Sequence, residues 1–208
     1  NLFFTLQLIE MEPPLVICLN QADAAKNKGI TIDTEKLEQA LGVPVVPTVA
    51  VRGEGIYELT KTAVNAARSR PNNKSHVKYG AEIEERITKL ERAIQNGNLA
   101  LIHPSRWVAI KLLENDPEIT ELIASKSQDI VKMSDSLAAE ISSISGEPCF
   151  AVIASERYSL ANRIASEVQR RSEMKTTFSE RLDWLATHSI YGYLMSAAVI
   201  AGLLLWTF

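Results

Sequence analysis

Asn20 and Asp23 close an apolar run, Leu15-Val16-Ile17-Cys18-Leu19, as the first and last residues of an Asn-x-x-Asp motif. A carboxylate in that place accepts two hydrogen bonds at once, and guanine offers a matching pair in its ring N–H and exocyclic amine. Adenine lacks the pair, so an aspartate there discriminates between purines. Asn20 can meet the other edge of a base or pin neighbouring loops, and Gln21 lies between the two. A second stretch, Ala50-Val51-Arg52-Gly53-Glu54-Gly55, follows another apolar run, and its two glycines let backbone N–H groups approach a flat ring. The candidate base contacts are Asn20, Gln21, Asp23, Ala50, Val51 and Arg52. On its own the short motif has a second reading, a strand-to-helix turn in which Asn and Asp cap backbone donors.

Other chemistry is sparse. Cys18 and Cys149 lie far apart in apolar surroundings, and His76, His103 and His188 are scattered, so neither a disulfide framework nor metal-ligand spacing exists. The sequence contains no GxxxxGK[ST] and no DxxG, hence no phosphate cradle, magnesium ligands or switch regions. With 22 Lys+Arg against 25 Asp+Glu and a net charge of −3, nothing general attracts the chain to nucleic acid. Hydrophobic content of 46% and charged content of 23% exclude wholesale disorder.

The elements that must position the candidate site read as follows. Leu2, Leu6 and Ile9 share one helix face, and Pro13-Pro14 end that helix. The apolar run 15–19 has the length of a buried strand. A short helix covers 24–28, and Asp33 caps another that buries Leu37, Ala40 and Leu41 before Gly42 closes it. Residues 45–51 are β-branched and form the second strand, entered through Pro44 and interrupted by Pro47; a helix then runs over 56–69. Helix and strand alternating in this way make half of a parallel α/β sheet, with the other half expected upstream. Residues 71–78 are polar and aperiodic, a linker.

Beyond the linker no strand signal recurs. Tyr79, Ile83, Ile87, Leu90 and Ile94 mark an amphipathic helix, and Trp107, Ile110 and Leu113 another, with Trp107 as a core anchor. Asp116-Pro117 starts a third helix. Ile130, Met133, Leu137, Ile141 and Ile144 line a fourth that Gly146 stops, and Phe150, Ile153, Ala161, Ile164 and Val168 line a fifth opened by Pro148. Arg106 and Lys111 read as a solvated face. This second unit is an all-helical bundle.

Residues 190–208 carry no charge and would span about 28 Å as a helix, against a hydrocarbon core of about 30 Å. Tyr191 and Tyr193 at one end and Trp206 and Phe208 at the other fit interfacial belts, and Arg170, Arg171, Lys175 and Arg181 put the preceding chain on the cytoplasmic side. Phe178, Leu182 and Leu185 give 176–189 an apolar face opposite Glu180, Arg181 and Asp183. The chain starts at Asn1 and stops inside an apolar run, so it is expected to be a piece of a longer protein.

Strand, Asn-x-x-Asp, strand, glycine loop, helix is the order of the guanine-binding half of Ras-like GTPases. The chain more closely resembles the ferrous iron transport protein B family of prokaryotes. Leu6-Gln7-Leu8, Leu19-Asn20-Gln21-Ala22-Asp23, Gly29-Ile30-Thr31-Ile32-Asp33 and Pro44-Val45-Val46-Pro47 are similar to its G domain. Tyr79-Gly80, Glu82-Ile83-Glu84 and Arg106-Trp107-Val108-Ala109-Ile110-Lys111-Leu112-Leu113-Glu114 are similar to its helical domain, the last run being the most specific. Glu156-Arg157-Tyr158 and Thr187-His188 before Gly192 resemble its last helix and its approach to the membrane. Two departures stand out: Ala50-Val51 replaces a usual Ser-Thr, and Gln21-Ala22 replaces a usual Met pair.

The resemblance implies the C-terminal half of a Ras-like P-loop GTPase domain over 1–70 and the 71–78 linker. It further implies a helical regulatory domain over 79–175, a juxtamembrane segment over 176–189 and a truncated first transmembrane helix over 190–208. It implies GTP or GDP as ligand, with magnesium serving the full-length protein through ligands absent here, and no catalytic residue in this chain. Its partners would be guanine nucleotide, the lipid bilayer and, through further membrane helices, ferrous iron, with homo-oligomer formation left open. The location would be the prokaryotic inner membrane, with 1–189 cytoplasmic. The rival class is a tail-anchored interaction protein whose α/β part is structural.

Overall fold

Strands β1 (Ile17–Leu19) and β3 (Val45–Pro47) pair in parallel, Ile17 opposite Val45 and Leu19 opposite Pro47, in a computed structural model that describes residues 2–69, 77–171, 184, 187–189 and 191–207. A parallel pair needs a crossover, supplied here by α2 (Ala22–Asn27), β2 (Ile30–Ile32) and α3 (Thr34–Leu41). Asp33 caps α3, its Oδ1 accepting the Lys36 N–H at 3.1 Å, and Gly42 ends it at φ 69°. Helix α1 (Leu2–Glu10) precedes β1, and α4 (Ile56–Ser69) follows a 3₁₀ turn over Ala50–Arg52. Both strands are three residues long, shorter than the apolar runs that contain them.

The helical unit comprises α5 (Ala81–Asn96), α6 (Ser105–Leu113), α7 (Pro117–Ala124), α8 (Gln128–Ser145) and α9 (Cys149–Val168). Its core follows the expected phase, with Ile83, Ile87, Leu90 and Ile94 of α5 buried against α6 and α8. Asp116 Oδ1 accepts the Ile119 N–H at 3.2 Å to cap α7, and Gly146 closes α8 at φ 74°. Two positions expected in the core are not: Ile144 and Phe150 face solvent, 57% and 56% exposed, because they flank the α8–α9 turn where no neighbouring helix covers them. Trp107 is only half-buried, its ring tilted against His103 at 4.7 Å, and the buried residues of α6 are Val108, Ala109, Ile110, Leu112 and Leu113.

The two units are not simply tethered. Helices α1 and α3 pack on α9, and Leu6, Ile9, Leu37, Leu41 and Val45 belong to the same buried cluster as the helical core. A strand absent from the sequence reading, β4 (Gln169–Arg171), continues from α9 and pairs antiparallel with β2, Thr31 opposite Arg170. The Asp33 N–H donates to the Val168 carbonyl at 2.9 Å and extends that ladder. Of the expected linker, Val77 is buried and its carbonyl accepts from Arg106 at 2.9 Å, so the polar segment ends before it.

The final helix described, α10 (Tyr191–Thr207), has 17 residues and no charge. Among the described residues no single helix is long and apolar enough to cross a membrane; α8 and α9 pass a length and composition test together, bent by 67°, but their apolar faces line the helical core. Most of the expected amphipathic segment 176–189 lies outside the described residues.

Candidate functional site

The carboxyl ends of β1 and β3 carry the two candidate loops side by side. The backbone joins them first: the Thr48 N–H donates to the Leu19 carbonyl at 2.9 Å, and the Ala22 N–H donates to the Thr48 carbonyl at 3.3 Å. Asn20 then ties them through its side chain. Its Oδ1 accepts the Ala50 N–H at 3.1 Å and the Thr48 hydroxyl at 3.3 Å, while Cys18 Sγ lies 3.2 Å from the same hydroxyl. Asn20 thus pins the second loop, as its type and place suggest. Gln21 sits at φ 60°, ψ 35°, a left-handed conformation that costs a non-glycine residue free energy and clusters at functional turns. It turns the chain so that Asp23 falls in the first turn of α2.

Asp23 does not face an empty loop. Its Oδ2 lies 3.1 Å from Arg52 Nη2, and Arg52 Nε lies 2.9 Å from Glu54 Oε1. Glu54 is fixed in turn, its carbonyl accepting the Val49 N–H at 3.0 Å. The loop needs glycine at one position above all: Gly55 has φ 77°, and a Cβ there would meet the Pro47 carbonyl oxygen at 2.4 Å. The amides of Ala50, Arg52 and Gly53 all donate within the protein, to Asn20, Val49 and Ala50, whereas Val51 is 95% exposed. Three of the loop amides are thus taken up inside the protein, and Asn20 is the side chain that anchors one loop to the other. All six candidate residues come together at one end of the sheet. Thr48 and Glu54 were missed; their signal is position, one at the end of β3 and the other between two glycines.

Two cavities formed by the described residues lie beside this site or away from it. A cleft of about 270 Å³ beneath α2 is lined by Leu19, Ala25, Ile30 and Pro47, and a shallow groove of about 800 Å³ runs along α5; neither includes Asn20, Asp23 or Arg52. Among the described residues no group of three or more His, Cys, Asp or Glu side chains could hold a metal.

A second polar cluster joins the two units. Arg157 of α9, 1% exposed, donates to both Glu10 carboxylate oxygens at 3.3 and 3.1 Å and to Glu114 at 3.0 Å. The Tyr79 hydroxyl donates to Glu10, and the Phe3 and Tyr79 rings lie 5.5 and 5.7 Å from the guanidinium carbon. Lys111 adds a contact to Glu114 at 2.9 Å. Burial alone disfavours the Arg157 charge, yet Tyr79, Glu10 and Glu114 hold it protonated beyond its ordinary range. Burial, then the Glu10 charge, pushes the Tyr79 hydroxyl well above its usual value. Burial, with Glu114 adding to it, pushes the Cys149 thiol up to about 11, so it stays protonated at neutral pH. The signal for Arg157 was its phase, within the stripe of Ile153, Ala161 and Ile164. Arg106 likewise departs from the solvated face expected of it. Burial works against its charge, but its hydrogen bonds to Glu84 at 2.6 and 2.9 Å outweigh that and raise its pKa.

The fold is therefore part of a Ras-like α/β G domain joined to a helical domain. The profile of "Ferrous iron transport protein B" matches residues 1–63, and that of the "FeoB cytosolic helical domain" matches 79–170. The chain belongs to the ferrous iron transport protein B family. It is 32% identical over 201 residues to the Fe(2+) transport protein A/Fe(2+) transporter FeoB fusion protein of Porphyromonas gingivalis, covering 93% of this chain and 24% of that one. It is 29% identical over 202 residues to the Fe(2+) transporter FeoB of Staphylococcus aureus, covering 96% of this chain and 30% of that one. The crystal structure of the GDP-bound A143S mutant of the S. thermophilus FeoB G-domain superposes with a TM-score of 0.75 at 28% identity, over 82% of this chain and 64% of that one. The chain spans about a quarter to a third of the length of the relatives it matches.

Proposed function

We propose that residues 1–70 form the guanine-recognising half of a GTP-binding domain in a ferrous iron membrane transporter, and that 79–175 form its helical regulatory domain. The observation that carries this reading is the cross-loop anchor: Asn20 bonded to Ala50 and Thr48, with Asp23 beside it at the carboxyl ends of parallel strands. Ligands of open α/β sheets sit in that place. The GDP in the S. thermophilus relative supports guanine nucleotide as the ligand class. In the proposed complex Asp23 takes the two N–H donors of guanine, and the Val51 amide is the loop donor left for the base carbonyl. Magnesium, implied by the family beside the phosphates, finds no cluster of three or more His, Cys, Asp or Glu side chains among the described residues.

The membrane part of the reading rests on α10. Its Val199, Ile200, Leu203, Leu204 and Leu205 are all exposed, which suits a lipid surrounding better than water. We read 190–208 as the first transmembrane helix, 71–78 as the linker with its Val77 end already docked on the helical unit, 176–189 as the juxtamembrane segment and 1–189 as cytoplasmic. Iron passage and GTP hydrolysis belong to the rest of the transporter.

Asp23→Asn tests the base contact. The change replaces one acceptor by a donor, which suits the second carbonyl of xanthine and repels the guanine amine. In the full-length protein, GDP affinity should fall by about 1.5–3 kcal/mol, the range for a hydrogen bond to a charged group, while xanthosine diphosphate affinity rises. Fluorescent-nucleotide displacement measures both. Unchanged guanine preference would reduce Asp23 to a helix-turn residue.

A further inference from the structure

Arg52 is held through two nitrogens of its planar guanidinium. Nε faces Glu54 Oε1 at 2.9 Å and Nη2 faces Asp23 Oδ2 at 3.1 Å. The loop fixes the Glu54 backbone, which bridges to Val49 across the Ala50–Arg52 turn and so sets where its carboxylate starts from. The Asp23 end carries the carboxylate whose orientation matters. To take two N–H donors from one base, both carboxylate oxygens must lie in the plane of that base, whereas a one-third-exposed carboxylate is otherwise free to rotate about its last side-chain bond. A single cation on Oδ2 restricts that rotation. It occupies one acceptor direction of one oxygen and leaves the remaining directions of both for the base. The fork geometry of arginine allows Glu54 to be held at the same time; the point charge of lysine holds one partner at a time.

We propose that Arg52 is a positioning residue for purine choice: anchored by Glu54, it orients the Asp23 carboxylate for guanine without itself touching the base. The proposal rests on the base-recognition reading of Asp23 above, and adds a specificity role carried by the Asp23–Arg52–Glu54 chain.

The test is a double-mutant cycle in the full-length protein, read by displacement of fluorescent GDP. Arg52→Ala should weaken GDP binding about three- to fivefold, the upper range for a half-exposed ion pair. Arg52→Lys should recover part of the loss. In an Asp23→Ala background, where there is no carboxylate to orient, Arg52→Ala should change GDP affinity less than about 1.5-fold. A loop-folding role for Arg52 would instead weaken GDP equally in both backgrounds, and direct contact with the nucleotide would do the same; either result overturns the proposal. Tighter GDP binding by Arg52→Ala would make Arg52 a blocker of Asp23, and an unchanged affinity would make the pair idle, each of which also overturns it. Failure of the underlying reading is separate: Asp23→Ala alone would then leave GDP affinity unaltered.

Discussion

Replacing Arg157 by Ala should lower the unfolding free energy of the chain by about 3–5 kcal/mol, the range for removing one partner of a buried ion pair. The loss is not that of the contacts alone. Glu10 is 3% exposed, and without Arg157 its carboxylate keeps, among the described residues, the Tyr79 hydroxyl alone, an uncompensated charge in an apolar setting. Glu114 retains Lys111 and suffers less. Arg157 also fills the space between the Phe3 and Tyr79 rings, so packing goes with the charge. Urea unfolding of the 208-residue chain measures the effect. Replacing the most buried pair by apolar groups of similar volume, Glu10→Leu with Arg157→Met, should return much of the stability, because buried ion clusters gain little over such groups. A cost under about 1 kcal/mol for Arg157→Ala would mean that the cluster does not hold α1 to α9.

The second large effect lies in the helical core. Leu90→Ala should cost about 2–5 kcal/mol, since Leu90 has 0% exposure on the face of α5 that packs against α6 and α8, and that interface cannot collapse fully around the cavity. Leu122 of α7, 40% exposed, provides the control: its truncation should cost less than about 1 kcal/mol in the same unfolding experiment. Comparable losses at the two positions would contradict the assignment of the core to the Ile83–Ile87–Leu90–Ile94 stripe.

Those four residues were legible in the sequence because burial of a helix face imprints a period on residue type. The caps at Asp33 and Asp116 and the stops at Gly42 and Gly146 were legible because each satisfies a backbone need that few residue types meet. Asn20 was legible as a tie between loops by its place after an apolar run. The β2–β4 ladder was not: Gln-Arg-Arg has neither β-branching nor apolar alternation, and the pairing uses backbone groups that any residue carries. Arg106 misled for a related reason, and the buried role of Arg157 stayed hidden for the same one. A charged residue reads as solvated unless its partners are known, and Glu10 and Glu84 come from other helices. The clamp of Arg52 by Asp23 and Glu54 likewise joins residues from two loops that only the parallel strand pair brings together.

That base recognition in these loops serves iron transport is tested most directly by nucleotide-dependent uptake of ferrous iron into proteoliposomes carrying the full-length protein. Parent protein and Asp23→Asn would be compared with GTP and with xanthosine triphosphate. The expected result is uptake by the parent with GTP, and by Asp23→Asn with xanthosine triphosphate but only weakly with GTP. Uptake by Asp23→Asn that is as strong with GTP as the parent's, or that xanthosine triphosphate does not restore, would contradict a guanine-recognising, transport-linked role for Asp23.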